Sequence, residues 1–458
     1  MSKSDKIYAR LPISLQNLSV SLYGIYWHWL RFGGRYQEHE DGYRSREHFS
    51  SKQWTEYQTY QLRNLVAIAA ERVPYYQRTW KADQVKAAMD GNLTALPLLE
   101  KDPIRKDASD FIRSDLWHTR YYTNLTSGST GTPIATLWTA EEIRDSLAVR
   151  EVRSANWAGV SFKQPRATFS GRMVEPDPNS KGPYYRFNSA ERQVYFSPFH
   201  LRADTAHFYV EALRKHHIEW MTGYAVSYYL LAKFILQQGL QVPPLKAIIT
   251  TSEKVTPEMR SVMEKAYHCK VYEEYSTVEN ALFASECEHG RLHVSPDVGI
   301  VEILRPDSSP CGSGEVGEVV TTCLMRTFQP MIRYRLGDLA AWDPEPCPCG
   351  RSMPVLKEVV GRIEDVVVGP DGRQMVRFHG IFVNQPHVME GQIIQESLDH
   401  IHVKVVPTEG YGDSDDQDIV HRVQQRLGQN VNVTVEVVNA IPRTNSGKFK
   451  AVVSNLKS

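Results

Sequence analysis

The chain has 458 residues, 53 basic against 53 acidic side chains and 41% hydrophobic residues, a length that at roughly 100–200 residues per domain predicts two to four domains. Zero formal net charge supplies no global field for a polyanion, which argues against nucleic acid as a partner. Charged residues at 23% exclude wholesale disorder, and six cysteines are too sparse for a disulfide scaffold.

The first apolar stretch, Leu11 to Phe32, is interrupted by Ser14, Gln16, Asn17, Ser19, Ser21, Gly24 and His28. No run reaches the roughly 18–20 apolar residues that span a bilayer, and a soluble, cytoplasmic protein is expected. The segment is dense in aromatics (Tyr23, Tyr26, Trp27, Trp29, Phe32, Tyr36). It reads as a core-facing helix of an N-terminal cap, with peripheral membrane contact through the aromatic face as the other reading.

Helical spacing runs from about 52 to 72 and ends at Pro74. From Tyr121 to Trp138 come a strand, a Ser/Thr/Gly loop and a second strand, then a helix near Thr139 with Glu141 and Glu142 in its first turn. Helices at Thr205–Lys215, Ser227–Gly239 and Pro257–Tyr267 alternate with strands at Leu245–Thr251 and after Cys269, which is βαβ grammar. Short alternating strands between Gly299 and Cys323 predict an antiparallel β unit. After Gly361 the pattern gives a hairpin at Gly369–Gly372, a strand at His402–Val406, an acidic loop Asp413–Asp418, a helix to Leu427 and a final strand Val431–Val438. The expectation is an α/β protein: a large multi-layer domain over residues 1–360, a linker at 361–365, and a small α+β domain over 366–458.

Three segments carry chemistry. In Thr126-Ser-Gly-Ser-Thr-Gly-Thr-Pro133 two glycines free the backbone amides and five hydroxyls add donors, so the loop can wrap phosphate oxygens. It lacks the Gly-Lys-Ser/Thr ending of a Walker loop, so any lysine must come from elsewhere. In Tyr334-Arg-Leu-Gly-Asp338 the aspartate sits beside a glycine turn, where a carboxylate can accept both hydroxyls of a ribose or bond its own backbone. Pro442-Arg-Thr-Asn-Ser-Gly-Lys448 is a polar loop that ends in a compact positive charge. A fourth pattern, Cys347-x-Cys349 with Cys287 and His293 upstream, has the composition of a tetrahedral zinc set, His289 being an alternative to His293; the other reading is plain reduced thiols. Cys269, Cys311 and Cys323 have no such company.

The segments Thr126–Pro133, Tyr275–Glu279, Tyr334–Asp338 and Pro442–Lys448, in this order, resemble the adenylate-forming superfamily of acyl-CoA synthetases, luciferases and nonribosomal peptide adenylation domains. More narrowly the chain resembles the phenylacetate-CoA ligase-like branch and its capsular-polysaccharide-associated subgroup. That likeness rests on Val73-Pro-Tyr-Tyr76, Glu286-Cys-Glu-His-Gly-Arg-Leu-His293, Met331-Ile-Arg-Tyr-Arg-Leu-Gly-Asp338, Cys347-Pro-Cys-Gly-Arg351 and Gly361-Arg-Ile-Glu-Asp365, and covers about residues 50 to 450.

The resemblance implies a two-step ligase. A carboxylic acid attacks the α-phosphate of ATP to give an acyl-adenylate and pyrophosphate, and an acceptor, CoA or an amine, then displaces AMP. By the family pattern Thr126, Ser127, Gly128, Ser129, Thr130, Gly131 and Thr132 hold the β- and γ-phosphates, and Lys448 bridges the carboxylate and the α-phosphate. Asp338, with Arg362 nearby, takes the ribose. Ser252, Glu253, Glu274, Tyr275 and Thr277 line the adenine and ribose, Glu279 holds Mg²⁺, and Glu364 is the pivot of a small domain that rotates between half-reactions. One departure stands out: Tyr275-Ser-Thr-Val-Glu279 has Ser276 for the family glycine and Val278 for its phosphate-binding hydroxyl. Three readings follow: a CoA ligase, an amide ligase acting on an amino sugar or amino acid, and a nucleotide-binding homologue with weakened activity. The acyl pocket is expected between Trp138 and Tyr229, where aromatics such as Tyr184, Phe196 and Tyr224 suit core or an aryl acid, and Arg172, Lys181, Arg186 and His200 suit a polar acid.

Overall fold

The structure is a computed structural model and describes residues 8, 11–126, 134–172, 174–175, 180–362, 367–370, 374–375, 381–382, 385–443 and 449–456, with backbone only at 362, 374 and 375. The N-terminal part is helical: α1 (Ile13–Phe32), α2 (Tyr36–Ser45), α3 (Ser51–Arg72), α4 (Pro74–Thr79), α5 (Ala82–Met89) and α6 (Lys101–Lys106). α3 opens on a capping box, Ser50 Oγ accepting from the Gln53 amide while Gln53 Oε1 accepts from the Ser50 amide at 2.9 Å. Pro74 starts α4, as a residue without an amide hydrogen can at a first turn.

The hairpin of β1 (Tyr121–Leu125) and β2 (Ala135–Thr139) is a separate two-stranded sheet leading into α7 (Ala140–Arg150), capped by Thr139 and Glu142. There follow β3 (Arg166–Phe169), β4 (Tyr185–Asn188), β5 (Gln193–Phe196), α8 (Ala206–Lys215), β6 (Trp220–Tyr224), α9 (Ala225–Gln238), β7 (Ala247–Thr251), α10 (Pro257–Tyr267) and β8 (Lys270–Ser276). β5, β3, β6, β7 and β8 lie parallel, side by side. Helices cover both faces, which is why Trp220 to Tyr224 is buried at every position rather than at alternate ones. Gly223 is required there: its φ is 131°, and a Cβ would stand 1.9 Å from the Phe169 carbonyl oxygen.

From β9 (Phe283–Glu286) the same sheet continues antiparallel through β10 (Leu292–Val294), β11 (Gly299–Leu304), β12 (Gly317–Cys323), β13 (Tyr334–Asp343) and β14 (Val355–Arg362). The twelve strands run in the order β11-β12-β13-β14-β10-β9-β8-β7-β6-β3-β5-β4. In the C-terminal part β15 (Val367–Val368) pairs antiparallel with β16 (Gln374–Met375) on either side of the Gly-Pro-Asp-Gly segment, of which Asp371 and Gly372 lie outside the described residues. Its four-stranded sheet is built from β17 (Val388–Ser397), β18 (His400–Pro407), β19 (Asn432–Val437) and β20 (Val452–Ser454), in the order β19-β18-β17-β20. Ile393, Ile401, Val403 and Val405 of that sheet pack on Ile419 and Val423 of α11 (Asp413–Leu427) in a core of their own.

Three expectations are corrected. The acidic stretch Asp413–Asp418 is the start of α11, not a loop, because carboxylates favour the positive end of a helix and Asp415 accepts the Gly412 amide at 2.9 Å. Val431–Val438 does not hold the last strand: β20 follows and pairs parallel with β17, three residues being too short to show a period. The aromatic-rich N-terminal helix turns only part of its apolar surface to the core: Leu30 is buried and Phe32 packs on the core, while α1 otherwise docks by Gln16, Asn17, Ser21 and Gly24, and Leu15, Leu18, Leu22, Ile25 and Trp29 face solvent. β4 is the last strand of the sheet, and its unpaired edge needs polar partners: Asn17 Oδ1 accepts the Phe187 amide at 3.0 Å, and Ser21 Oγ the Ser189 amide at 3.0 Å.

Candidate active site

Open α/β sheets receive ligands beyond the carboxyl ends of their strands. There, between β6, β7 and β8 on one side and the C-terminal sheet on the other, lies a cavity of about 1050 Å³. Ser252, Glu253, Glu274, Tyr275, Thr277, Glu279, Asp338 and Thr126 all line it, so residues up to 212 positions apart in sequence meet at one place. Ser127 to Thr132, Glu364 and Lys448 lie outside the described residues, as does the Arg362 side chain; its backbone pairs opposite Asp338 in the β13–β14 ladder.

Each carboxylate has a distinct setting. The Tyr275 phenol donates to Asp338 Oδ2 at 2.7 Å, and Asp338 is only 6% exposed. Glu253 follows Ser252, whose φ of 70° turns the chain sharply after β7. Its Oε2 accepts the Val226 amide at the start of α9 (2.8 Å), and its Oε1 the Phe449 amide (3.0 Å), which links body and C-terminal part at this carboxylate. Glu274 is buried and held by Arg150 at 2.9 Å. Glu279 accepts from the Tyr334 phenol at 3.0 Å, and its backbone carbonyl from Arg326 at 2.7 Å. Glu273 and Glu286 share Arg260, at 3.2 and 2.8 Å; burial pushes both carboxyls up, Glu286 to about 7.

Arg326 was not singled out by the sequence, yet it is 1% exposed, lies 4.2 Å over the Trp138 ring and also reaches the Leu137 carbonyl. It thereby fastens the β1–β2 hairpin to the Glu279 turn. Gln329 helps by accepting the Leu137 amide at 2.9 Å. Nothing in the local pattern around these two residues reveals the role, which depends on the distant strand they meet. Thr126 closes the neck of the 127–133 segment: its amide donates to Ile134 O at 3.0 Å and its Oγ1 accepts the Ile134 amide at 2.9 Å.

Two adjacent side chains after β8 differ from one another. Val278 is 40% exposed at the cavity wall, while the Thr277 hydroxyl is buried with no hydrogen-bond partner among the described residues. The aromatics expected as acyl lining, Tyr184, Tyr185, Phe196, Tyr209 and Tyr224, are packed in the core beneath α8 and α9. Arg186 is buried against Glu175 at 2.7 Å, which makes it a structural residue; His200 bonds Ser197 Oγ at 2.8 Å and stacks on Tyr184. Arg172 lies over the Tyr195 ring.

Cys287, His293, Cys347 and Cys349 come together with all four donor atoms within 4.8 Å of one another. The Cys287 and Cys347 sulfurs are 3.6 Å apart, and Cys349 Sγ is 3.4 Å from His293 Nε2. The edges of a tetrahedron with metal–sulfur bonds of 2.3 Å and a metal–nitrogen bond near 2.0 Å are roughly 3.8 and 3.5 Å, so these two pairs have the spacing of such a site. His293 Nδ1 meets the Met353 carbonyl at 3.2 Å, which turns Nε2 to the sulfurs, and burial lowers this imidazole to about 4, its neutral, ligating form at neutral pH. His289 is not a member. Gly290, Arg291 and Leu292, in the same turn, line the cavity, so the cluster adjoins the site.

Comparisons with known proteins come from three directions. Residues 368–455 match the family model described as the CapK C-terminal domain. Protein CapK of Staphylococcus aureus is 26% identical over 468 aligned residues, covering 98% of this chain and 99% of the relative. Phenylacetate-coenzyme A ligase of Thermus thermophilus is 25% identical over 197 residues, 37% of this chain and 44% of the relative. The solved 2-hydroxyisobutyryl-CoA ligase in its postadenylation state, bound to R3-HIB-AMP, shares the fold with a TM-score of 0.69 at 22% identity, over 90% of this chain and 91% of that one. Its thioesterification-state structure scores 0.55.

Proposed function

Since the chain belongs to the adenylate-forming superfamily, in the phenylacetate-CoA ligase-like branch and its CapK subgroup, we propose that it joins a carboxylic acid to an acceptor through an acyl-adenylate. It is an AMP-forming ligase. The observation that carries the detailed reading is the convergence of Tyr275, Asp338 and Glu279 on one cavity at the strand ends. Asp338, oriented by Tyr275, accepts the two ribose hydroxyls, with Arg362 beside it. Tyr275, Ser252, Glu253, Glu274 and Thr277 surround the adenine and ribose. Thr126 to Thr132 hold the β- and γ-phosphates from a hairpin that Arg326 anchors to the Glu279 turn.

Attack of a carboxylate on a phosphate brings two anions together, and positive charge and amide dipoles must offset that repulsion. Lys448 supplies the charge between the carboxylate and the α-phosphate. Glu279, held by Tyr334, is the residue suited to Mg²⁺, whose chemistry when bound is to screen the phosphate oxygens. Residues 361–365 act as the hinge, with Glu364 as pivot, between a body of residues 1–360 and a mobile lid of 366–458. The higher score against the postadenylation form supports assigning the present arrangement to the first half-reaction.

CoA is the acceptor of the first reading. An amine acceptor is the second, favoured by the carboxylates in the cleft wall: Glu253, Glu258, Glu273, Glu286, Glu358 and Glu390, against Lys254, Arg291, Lys357, Arg443 and Lys450. Cys287, His293, Cys347 and Cys349 hold a structural zinc ion, which pins the turn bordering the cavity; four protein ligands leave no open position for catalysis. Use of ATP and CoA fits a cytoplasmic enzyme with small-molecule partners.

ATP–pyrophosphate exchange with aryl, hydroxy and amino acids tests the first step, and AMP release with CoA or amines tests the second. Acid-dependent exchange is expected. ATP binding with no exchange for any acid would overturn the proposal and favour a nucleotide-binding homologue.

A further inference from the structure

One face of α1 is taken up by the edge of β4 through Asn17 and Ser21, and on another the apolar side chains Leu15, Leu18, Leu22, Ile25 and Trp29 stand 44, 52, 60, 59 and 63% exposed. Their spacing alternates three and four residues, the 3.5-residue repeat of a helix that packs on another helix rather than on a sheet. With Tyr23 at 56%, they leave roughly 600 Å² of mainly apolar surface, the upper end for a monomer's largest patch and close to the ~800 Å² per partner of a standard interface. Among the described residues nothing covers it.

The charge pattern separates the two obvious occupants. Helices that lie on membranes carry Lys and Arg on the polar face. Over Ile13–Phe32 the one charged residue is Arg31, already paired with Glu191 at 3.0 Å, and the exposed polar residues Ser14, Ser19 and His28 include no lysine or arginine. At the Trp29 end the stripe opens into a groove of about 400 Å³ lined by Ile25, His28, Trp29, Phe32, Gly33 and Ala190. A bilayer has no use for a side-chain-sized groove; a facing helix fills one with a knob.

We infer that α1 is the seam of a homodimer, pairing antiparallel with α1 of a second copy about a two-fold axis at Leu22. A two-fold interface uses the same patch on both copies, so Leu15 of each copy reaches the groove beside Trp29 of the other. The Tyr26 and Tyr122 hydroxyls bond at 2.6 Å, which ties α1 to the β1–β2 hairpin from a face other than the seam.

Analytical ultracentrifugation of the full chain between about 1 and 100 µM tests this. Wild type is expected at twice 52.3 kDa. Leu18→Glu with Leu22→Glu should weaken association at least tenfold while ATP–pyrophosphate exchange and the melting curve stay as in wild type. As a measurement that disturbs folding less, Leu22→Cys should give a reducible cross-linked pair under mild oxidation and Leu15→Cys should not. A wild-type monomer at 100 µM, a dimer that survives the double variant, or cross-linking through Leu15→Cys would overturn the proposal. So would flotation of monomeric wild type with phosphatidylcholine vesicles that the double variant abolishes, which would assign the stripe to a membrane.

Discussion

The Tyr275 phenol and the Asp338 carboxylate meet at 2.7 Å although β14, β10 and β9 stand between their strands in the sheet. In a flat sheet four strand spacings of about 4.8 Å would hold the two residues roughly 19 Å apart. The contact therefore requires the antiparallel part of the sheet to curl back over the ends of the parallel strands, and that curl forms the cavity wall.

Asp338→Ala is expected to raise KM for ATP about 10- to 100-fold in the exchange assay, because it removes both ribose acceptor oxygens. Tyr275→Phe should cost about tenfold, the low end for one hydrogen bond to a charged group. A fall in kcat with KM for ATP unchanged would count against the ribose assignment.

Val278→Thr is expected to speed adenylation by about tenfold, on the order of 1.4 kcal/mol, by restoring a hydroxyl at an exposed point of the cavity wall. Single-turnover formation of acyl-adenylate reads this directly. An unchanged rate would mean that other donors already serve the α-phosphate.

Zinc analysis of the purified chain should give about one metal per chain; less than about 0.3 would refute the Cys/His site. Cys349→Ser should lower the melting temperature by roughly 5–10 °C, a loss of a few kcal/mol, with Cys269→Ser as the control that leaves it unchanged.

Glu364→Pro fixes φ at the pivot and should leave pyrophosphate exchange within about threefold of wild type while acyl transfer to the acceptor falls at least a hundredfold. Equal retention of both half-reactions would remove the hinge assignment.

Asp145, packed among His39, Tyr43, Arg46 and Asp297, has its carboxyl raised to about 6 by burial, with Asp297 adding to the rise and His39, Tyr43 and Arg46 opposing it. The folded state thus holds this proton more tightly than the unfolded chain, whose aspartate titrates near 3.8. The stabilisation is complete below about 3.8 and is lost as pH rises through 6. Asp145→Asn mimics the protonated form, so its stability relative to wild type should increase by on the order of 2–3 kcal/mol between pH 4 and 7 in urea titrations. A pH-independent difference would show that Asp145 stays ionised.

The alternation of helices and strands between Thr205 and Ser276 was legible because parallel strands buried on both faces, such as β7, leave uninterrupted apolar runs, and because Gly239 ends α9 and Thr256 with Pro257 opens α10. Tyr275, Glu279 and Asp338 were legible through their motifs. The parts played by Arg326, Gln329 and Tyr334 were not, since each bonds a residue more than fifty positions away. α1 misled because composition records that a helix is apolar on one side and says nothing of which side is covered.

By itself the sequence determined the fold class, and it pointed to Tyr275, Glu279 and Asp338, which line one cavity, and to Cys287, His293, Cys347 and Cys349, which cluster, because short motifs and two periodicities are local properties. Only the tertiary structure decided what touches what. It curled the sheet so that Tyr275 meets Asp338, brought Phe449 to Glu253, and set α1 with its leucines outward, because an edge strand's unpaired backbone groups outweighed burial of a stripe that a second helix can cover.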